Sequence, residues 1–262
     1  MKKILLICFI LIVFCLQTYI LKAEEKYSVK DLILQANIYE STGNFEKARE
    51  IYNSILTKTH DLKEDEFRKK LESLNIKIFF SGFPKSDFLT YEIKSGDNLN
   101  AISNKYNVPV ELIMEINKII SIRSLKIGQK MLIPAFTKQL KISVDTRKNI
   151  LILYKEKEII KHYSVATGKN ETPSPIGIFT ISSRIENPTW TLNGINIPGG
   201  DPKNALGPRW MGFEEQKQYG IHGTIEPESI GKNVSQGCIR MNNNDVIELF
   251  KIIPLGTKVE IF

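Results

Sequence analysis

A chain of 262 residues, 42% hydrophobic and 25% charged, is long enough for a folded catalytic domain with smaller modules and is not a predominantly disordered polymer. Its net charge of +7 is evenly spread, with 20 basic against 16 acidic residues over 1–137 and 16 against 13 over 138–262. Neither half forms the basic stripe of a nucleic-acid-binding protein, so no nucleic acid partner is expected. The weak positive balance suits anionic surfaces without selecting one.

Lys2 and Lys3 precede an uncharged run from Ile4 to Leu21, the pattern of an export signal with a positive n-region and an apolar h-region. Residues 1–23 therefore read as a signal peptide or a signal anchor. Ala23 could end a cleavage site, whereas Leu21 is a poor small-residue match and the run reaches the lower limit of a membrane span. The expected location is the periplasm or cell envelope. Cys8 and Cys15 fall inside this run, and Phe14 is too bulky to precede a lipidated cysteine. That leaves Cys238 as the one cysteine beyond the signal region, either reactive or paired with another molecule.

Residues 28–80 read as a helical segment. Leu32, Ile33, Ala36 and Tyr39 recur at helical spacing, Thr42-Gly43-Asn44 breaks the pattern, and Phe45, Ala48, Tyr52, Ile55 and Leu56 resume it. A third, charged helix is expected near 61–75. Ala36, Tyr39, Gly43, Phe45, Ala48 and Tyr52 look like one tetratricopeptide unit, with small residues where two helices approach closely. A helical spacer and a protein-binding unit both remain open readings. Ser81-Gly82-Phe83-Pro84 is a breaker and a boundary.

Residues 90–134 read as strand, helix, helix, strand. Tyr91-Glu92-Ile93 alternates; Leu99, Ile102 and Tyr106 give one helical face and Leu112, Ile113 and Ile116 a second; Met131-Leu132-Ile133 ends at Pro134. Together with Gly96-Asp97, Asn117 and Gly128-Gln129, these residues resemble a LysM module. The resemblance implies binding of N-acetylglucosamine-containing glycan strands such as those of peptidoglycan. Asn117 is expected to order a helix end or a loop. Ala135 to Leu140 reads as a short connection to the C-terminal half of the chain.

From Lys141 onward the texture is short strands punctuated by Pro173, Pro175, Gly177, Pro188, Pro198 and Gly199-Gly200, with one helix near 244–251 and a closing strand at 256–262. No alternation of strand and helix suggests a parallel sheet. The expected fold class is therefore multidomain: a mainly β catalytic domain over 138–262, preceded by a small βααβ module and an α-helical hairpin.

The chemistry concentrates in Tyr219-Gly220-Ile221-His222-Gly223-Thr224 and Ser235-Gln236-Gly237-Cys238-Ile239-Arg240-Met241. A neutral thiol is a poor nucleophile, and a neighbouring base lowers the cost of making it a thiolate. His222 can supply that base.

The pair of segments looks like the active-site signature of the L,D-transpeptidase family, the YkuD domain. Thr172 to Gly177, Pro188-Thr189-Trp190, Pro198-Gly199-Gly200 and Leu206 to Met211 are also similar to segments of that family. The resemblance implies a β-rich fold acting on peptidoglycan stem peptides. Cys238 would attack the carbonyl of the third stem residue, expel D-alanine and hold the donor as a thioester. An acceptor amine, from another stem or from an envelope protein, would then resolve it. By the same resemblance His222 is general base, then general acid, then base again.

Backbone amides of Gly237 and Cys238 are expected to face the oxyanion, with Ser235, Gly223 and Gln236 supporting the loop. Gln236 stands where many family members carry histidine and cannot exchange a proton near neutral pH. Arg240 either raises the local positive potential, grips a substrate carboxylate or forms a structural ion pair. Arg209, Trp210 and Trp190 are candidates for a substrate wall, with core packing the competing reading of each tryptophan. His60, His162 and His222 make no zinc spacing, so neither metal nor cofactor is expected. Two other activities remain open, a carboxypeptidase or other amide hydrolase on the same fold and an inactive wall-binding scaffold.

Overall fold

The computed structural model describes residues 28–58, 64–82, 84–192 and 194–262. The apolar run at 4–21, the export segment 1–23 and His60 lie outside them. No helix among the described residues is long and apolar enough to cross a membrane. The chain divides into two compact units, the first ending at Leu74 and the second running from Asn75 to Phe262.

In the first unit, helix α1 (Val29–Ser41) begins at a capping box in which Ser28 and Asp31 satisfy each other's exposed amides. It pairs with α2 (Phe45–Lys58). Leu32 and Ala36 meet Ala48, Tyr52 and Ile55, joined by Phe67 and Leu74 from α3 (Glu64–Ser81). The small side chains of Ala36 and Ala48, fully buried, allow the close approach, and Tyr52 keeps its hydroxyl satisfied on Asn37 Oδ1 at 2.9 Å. Helix α3 runs to Ser81 rather than ending near 75. Its later turns bury Ile76, Ile78 and Phe79, and Asn75 donates to the Ile160 carbonyl at 3.0 Å, so the helix continues as part of the second unit.

The second unit opens with β1 (Phe88–Glu92), antiparallel to β2 (Lys130–Pro134). Between them lie α4 (Leu99–Tyr106), capped by Asn98, and α5 (Val110–Ile116). Asn117 orders the loop as the sequence suggested: its amide donates to Ile113 O and Leu132 O and accepts from Leu132 N. The stretch 135–140 is a joint that buries Phe136, Thr137 and Leu140 and leaves Ala135, Lys138 and Gln139 exposed. Phe136 is 2% exposed, stacks on Phe79 at 4.6 Å and meets the edge of Phe88 at 5.8 Å.

Beyond the joint come β3 (Leu140–Asp145), β4 (Ile150–Lys155), β5 (Glu158–Gly168), β6 (Gly177–Glu186), the hairpin β7 (Trp190–Leu192) and β8 (Ile195–Ile197), β9 (Arg209–Phe213), β10 (Gly220–His222), β11 (Asn233–Ser235), β12 (Ile239–Met241), helix α6 (Asn243–Ile252) and β13 (Lys258–Ile261). The main sheet runs β11-β5-β12-β10-β9-β6-β13-β3-β4, and β4 also pairs with β5. That extra pairing closes the sheet into a barrel and removes its edges, with β11 appended to β5. The closing strand lies within the barrel wall: β13 is parallel to β3 and antiparallel to β6. Helix α6 buries Val246, Leu249, Phe250 and Ile252.

Candidate active site

Strand β10 sits between β9 and β12, with His222 opposite Trp210 on one side and Arg240 on the other. Paired residues in a sheet project to the same face, so His222, Trp210 and Arg240 share one face of the wall. Cys238 directly precedes β12. Continuing the parallel register by one step sets it beside Gly220, on that same face. The Gly220 N–H points at the thiol, and the thiol donates to the Gln218 carbonyl over 3.7 Å.

The loop carrying Cys238 is held from within. Ser235 Oγ donates to the Cys238 carbonyl at 2.6 Å and accepts from the Gly237 N–H at 3.1 Å. Gly237 has φ of +106°, and a Cβ there would lie 2.5 Å from Tyr219 Cε1. Only glycine lets the chain cross the tyrosine ring at this point. Since Ser235 already occupies the Gly237 amide, that amide can serve an oxyanion only by exchanging its partner. Gln236 is exposed.

His222 is 4% exposed. Its Nδ1 lies 2.7 Å from the Gly223 carbonyl; a carbonyl only accepts, so Nδ1 carries the proton and Nε2 keeps the free lone pair. Trp210 stacks on the imidazole, with centroids 5.7 Å apart and planes at 25°. The same indole fills the space over Gly220, where a Cβ would meet Trp210 Cζ2 at 2.9 Å. Burial pushes the imidazole pKa down to about 4, against the raising effect of the Gly223 and Leu206 carbonyls and with the help of the Arg240 charge. Burial likewise pushes the Cys238 thiol up, opposed by the Gly220 N–H and Arg240. At neutral pH the two groups therefore rest as thiol and neutral imidazole.

The remaining sequence candidates divide. Arg240 is paired with Glu226 at 2.7 Å. Arg209 lies on the other face of β9 from Trp210, its guanidinium 5.2 Å from the Phe250 ring centroid and bonded to Glu186 at 2.7 Å and to the Pro208 carbonyl at 2.8 Å. It buttresses α6 and does not join the His222 face. Trp190, half-buried, stands on the β7-β8 hairpin opposite Ile197. Asn243, which sequence reasoning missed, accepts from the Thr224 N–H at 2.9 Å; in the run Asn242-Asn243-Asn244 only a helix start was legible. Among the described residues no group of histidine, cysteine and acidic side chains could hold a metal ion.

A buried imidazole of fixed tautomer sharing a barrel face with the chain's one described cysteine is the equipment of a cysteine acyl-transfer enzyme. Residues 139–261 match the L,D-transpeptidase catalytic domain, YkuD, and residues 91–134 match the LysM domain. Two Bacillus subtilis (strain 168) proteins, L,D-transpeptidases by name, are similar: YqjB is 45% identical over 45% of this chain and 68% of its own length, and YkuD is 38% identical over 66% and 98%. The solved catalytic domain of the Enterococcus faecium L,D-transpeptidase is 26% identical, covering 47% of this chain and 96% of that one with a TM-score of 0.40. The chain belongs to the L,D-transpeptidase family, and is a cysteine-dependent acyltransferase with a peptidoglycan-related substrate.

Proposed function

We propose that the protein exchanges stem-peptide acyl groups through Cys238 and His222. Nε2 of His222 takes the thiol proton as sulfur attacks the carbonyl of the third stem residue. The collapsing tetrahedral intermediate breaks the bond to D-alanine, whose amine leaves with the proton from Nε2. The thioester remains on sulfur until an acceptor amine attacks it, giving its proton to Nε2 and restoring the thiol. The amide of Cys238 faces the oxyanion, and Arg240, tied to Glu226, adds to burial in keeping the imidazole neutral rather than gripping a carboxylate. Trp210 walls the site.

The single observation carrying this reading is the 2.7 Å contact from Nδ1 to the Gly223 carbonyl, which leaves Nε2 as the free base on the face shared with Cys238. The sequence supports the other parts of the proposal: an export segment over 1–23 delivering the chain to the cell envelope, a tetratricopeptide-like segment over 28–80, a glycan-holding module over 90–134 and the catalytic domain over 138–262.

The test incubates the protein with a disaccharide tetrapeptide and follows intact mass. The expected result is a thioester adduct that has lost alanine, then a 3→3 cross-linked product or a conjugate to an envelope-protein amine. A tripeptide formed with water as the only acceptor would instead establish hydrolysis, and absence of any adduct would leave a wall-binding scaffold.

A further inference from the structure

The Gly223-Thr224 peptide unit is gripped at both ends. Its carbonyl accepts from His222 Nδ1 at 2.7 Å, and its N–H donates to Asn243 Oδ1 at 2.9 Å. In a trans peptide these groups point in opposite directions, so the imidazole and the Asn243 amide face each other across one peptide plane. A peptide N–H bonded to an acceptor polarises its own carbonyl, which becomes the stronger acceptor. The chain is shaped to admit this side chain. A Cβ on Gly223 would lie 2.4 Å from Asn243 Oδ1, and one on Gly207 would lie 2.7 Å from the same oxygen and 2.8 Å from the Thr224 nitrogen. Two glycines from separate segments thus leave room for one amide oxygen. Asn243 itself opens α6, whose Val246, Leu249 and Phe250 are buried in the barrel core, so the oxygen stands on a fixed element.

We infer that Asn243 is a positioning residue that sets the tautomer and orientation of His222 by orienting the Gly223-Thr224 peptide. The inference rests on the Cys238 and His222 acyl-transfer reading. Asn243 touches neither sulfur nor donor; it decides which imidazole nitrogen keeps the lone pair. Without it the peptide can tilt toward water, Nδ1 loses its acceptor, and part of the population moves the proton to Nε2, where it blocks the base.

The experiment uses the full chain, with its three histidines labelled with nitrogen-15 and His222 assigned by its absence in His222→Gln. Ring nitrogen shifts report the tautomer with no donor present, and acylation by the disaccharide tetrapeptide is followed by mass. Asn243→Ala is expected to lower the Nδ1–H population of His222 and slow acylation by about tenfold to a hundredfold, the range of a mispositioned general base, with KM changed less than about threefold. Asn243→Asp, which keeps an acceptor oxygen in place, restores the Nδ1–H form and most of the rate. Asn243→Ala with an unaltered ring spectrum, or Asn243→Asp failing to restore the tautomer, overturns the inference. A wild-type chain that shows the Nδ1–H spectrum yet never acylates overturns the acyl-transfer reading alone, while the tautomer response of Asn243→Ala still decides the positioning.

Discussion

The imidazole of His222 titrates near 6.5 when solvated and is pushed down to about 4 in the fold, chiefly by desolvation. Between those values the unfolded chain binds a proton that the folded chain refuses, so folding loses free energy as pH falls. Above pH 6.5 both states are neutral and the penalty is absent; below about pH 4 both are protonated and it is complete. The gap of about 2.5 pH units corresponds to roughly 3 kcal/mol, of which about 2 kcal/mol has accumulated at pH 5.

Other groups titrate over the same range, so the measurement is a difference between wild type and His222→Gln, whose side chain stays uncharged. Urea unfolding at pH 7.5 and pH 5.0 is followed by tryptophan fluorescence, which reports this domain because Trp210 lies in the barrel wall and Trp190 on the β7-β8 hairpin between β6 and β9. Wild type should lose about 2 kcal/mol more than His222→Gln on acidification. Equal losses would refute the claim that the fold holds this ring neutral. If His222 is the base of the proposed reaction, the acid limb of acylation should reach half-maximum near pH 4 rather than at a solvated histidine's pH.

The thiol loop supports two more expected outcomes. Cys238→Ala should abolish the acyl adduct in mass spectra while moving the thermal midpoint by less than about 3 °C, since a partly exposed thiol with one long sulfur contact contributes little packing. Gly237→Ala should destabilise the barrel by about 2–4 kcal/mol, because its Cβ both enters positive-φ space and meets Tyr219; chemical denaturation checks this, with partial recovery expected in the Gly237→Ala, Tyr219→Ala double variant.

The βααβ module was legible because its apolar residues obey one period within each element and Asn117, Gly96 and Gly128 mark the turns. Cys238 and His222 were singled out by their glycine-bearing segments, and the parallel register of β10 and β12 brings the two segments side by side. Strand parity could have corrected the wall: Arg209 and Trp210 are neighbours on one strand, and neighbours face opposite sides, so only one could join His222. The end of α3 was misplaced because the helix buries different residues on either side of Asn75, which blurs a single apolar stripe. Barrel closure through the β4-β5 pairing and the reach of Asn243 to Thr224 depend on contacts between distant segments. Local pattern carries no trace of them.

The joint between the LysM module and the barrel changes how their cooperation should be tested. The two share one apolar core cluster, through Phe136, and polar bonds join them: Asn107, just past α4, donates to the Leu255 carbonyl after α6 at 2.9 Å, and Glu111 and Glu115 of α5 pair with Arg184 of β6 at 3.2 Å and Lys251 of α6 at 2.9 Å. Arg184 also donates to the Phe250 carbonyl at 2.6 Å and lies over its ring. A fixed joint converts glycan binding into orientation as well as local concentration. Deleting 90–134 would strip core from the barrel and confuse folding with function. Loosening the rim is cleaner: Glu111→Ala with Glu115→Ala removes two ion pairs at the joint, the partly exposed one to Lys251 worth about 1 kcal/mol or less and the more buried one to Arg184 worth more, and leaves the apolar core intact. If glycan held by the module presents its stems to Cys238, this double variant should cut the initial rate on intact sacculi severalfold while the rate on a soluble muropeptide stays within about twofold. Equal fractional losses on both substrates, with the circular dichroism spectrum unchanged, would show that the module serves the barrel's stability and does not aim its substrate.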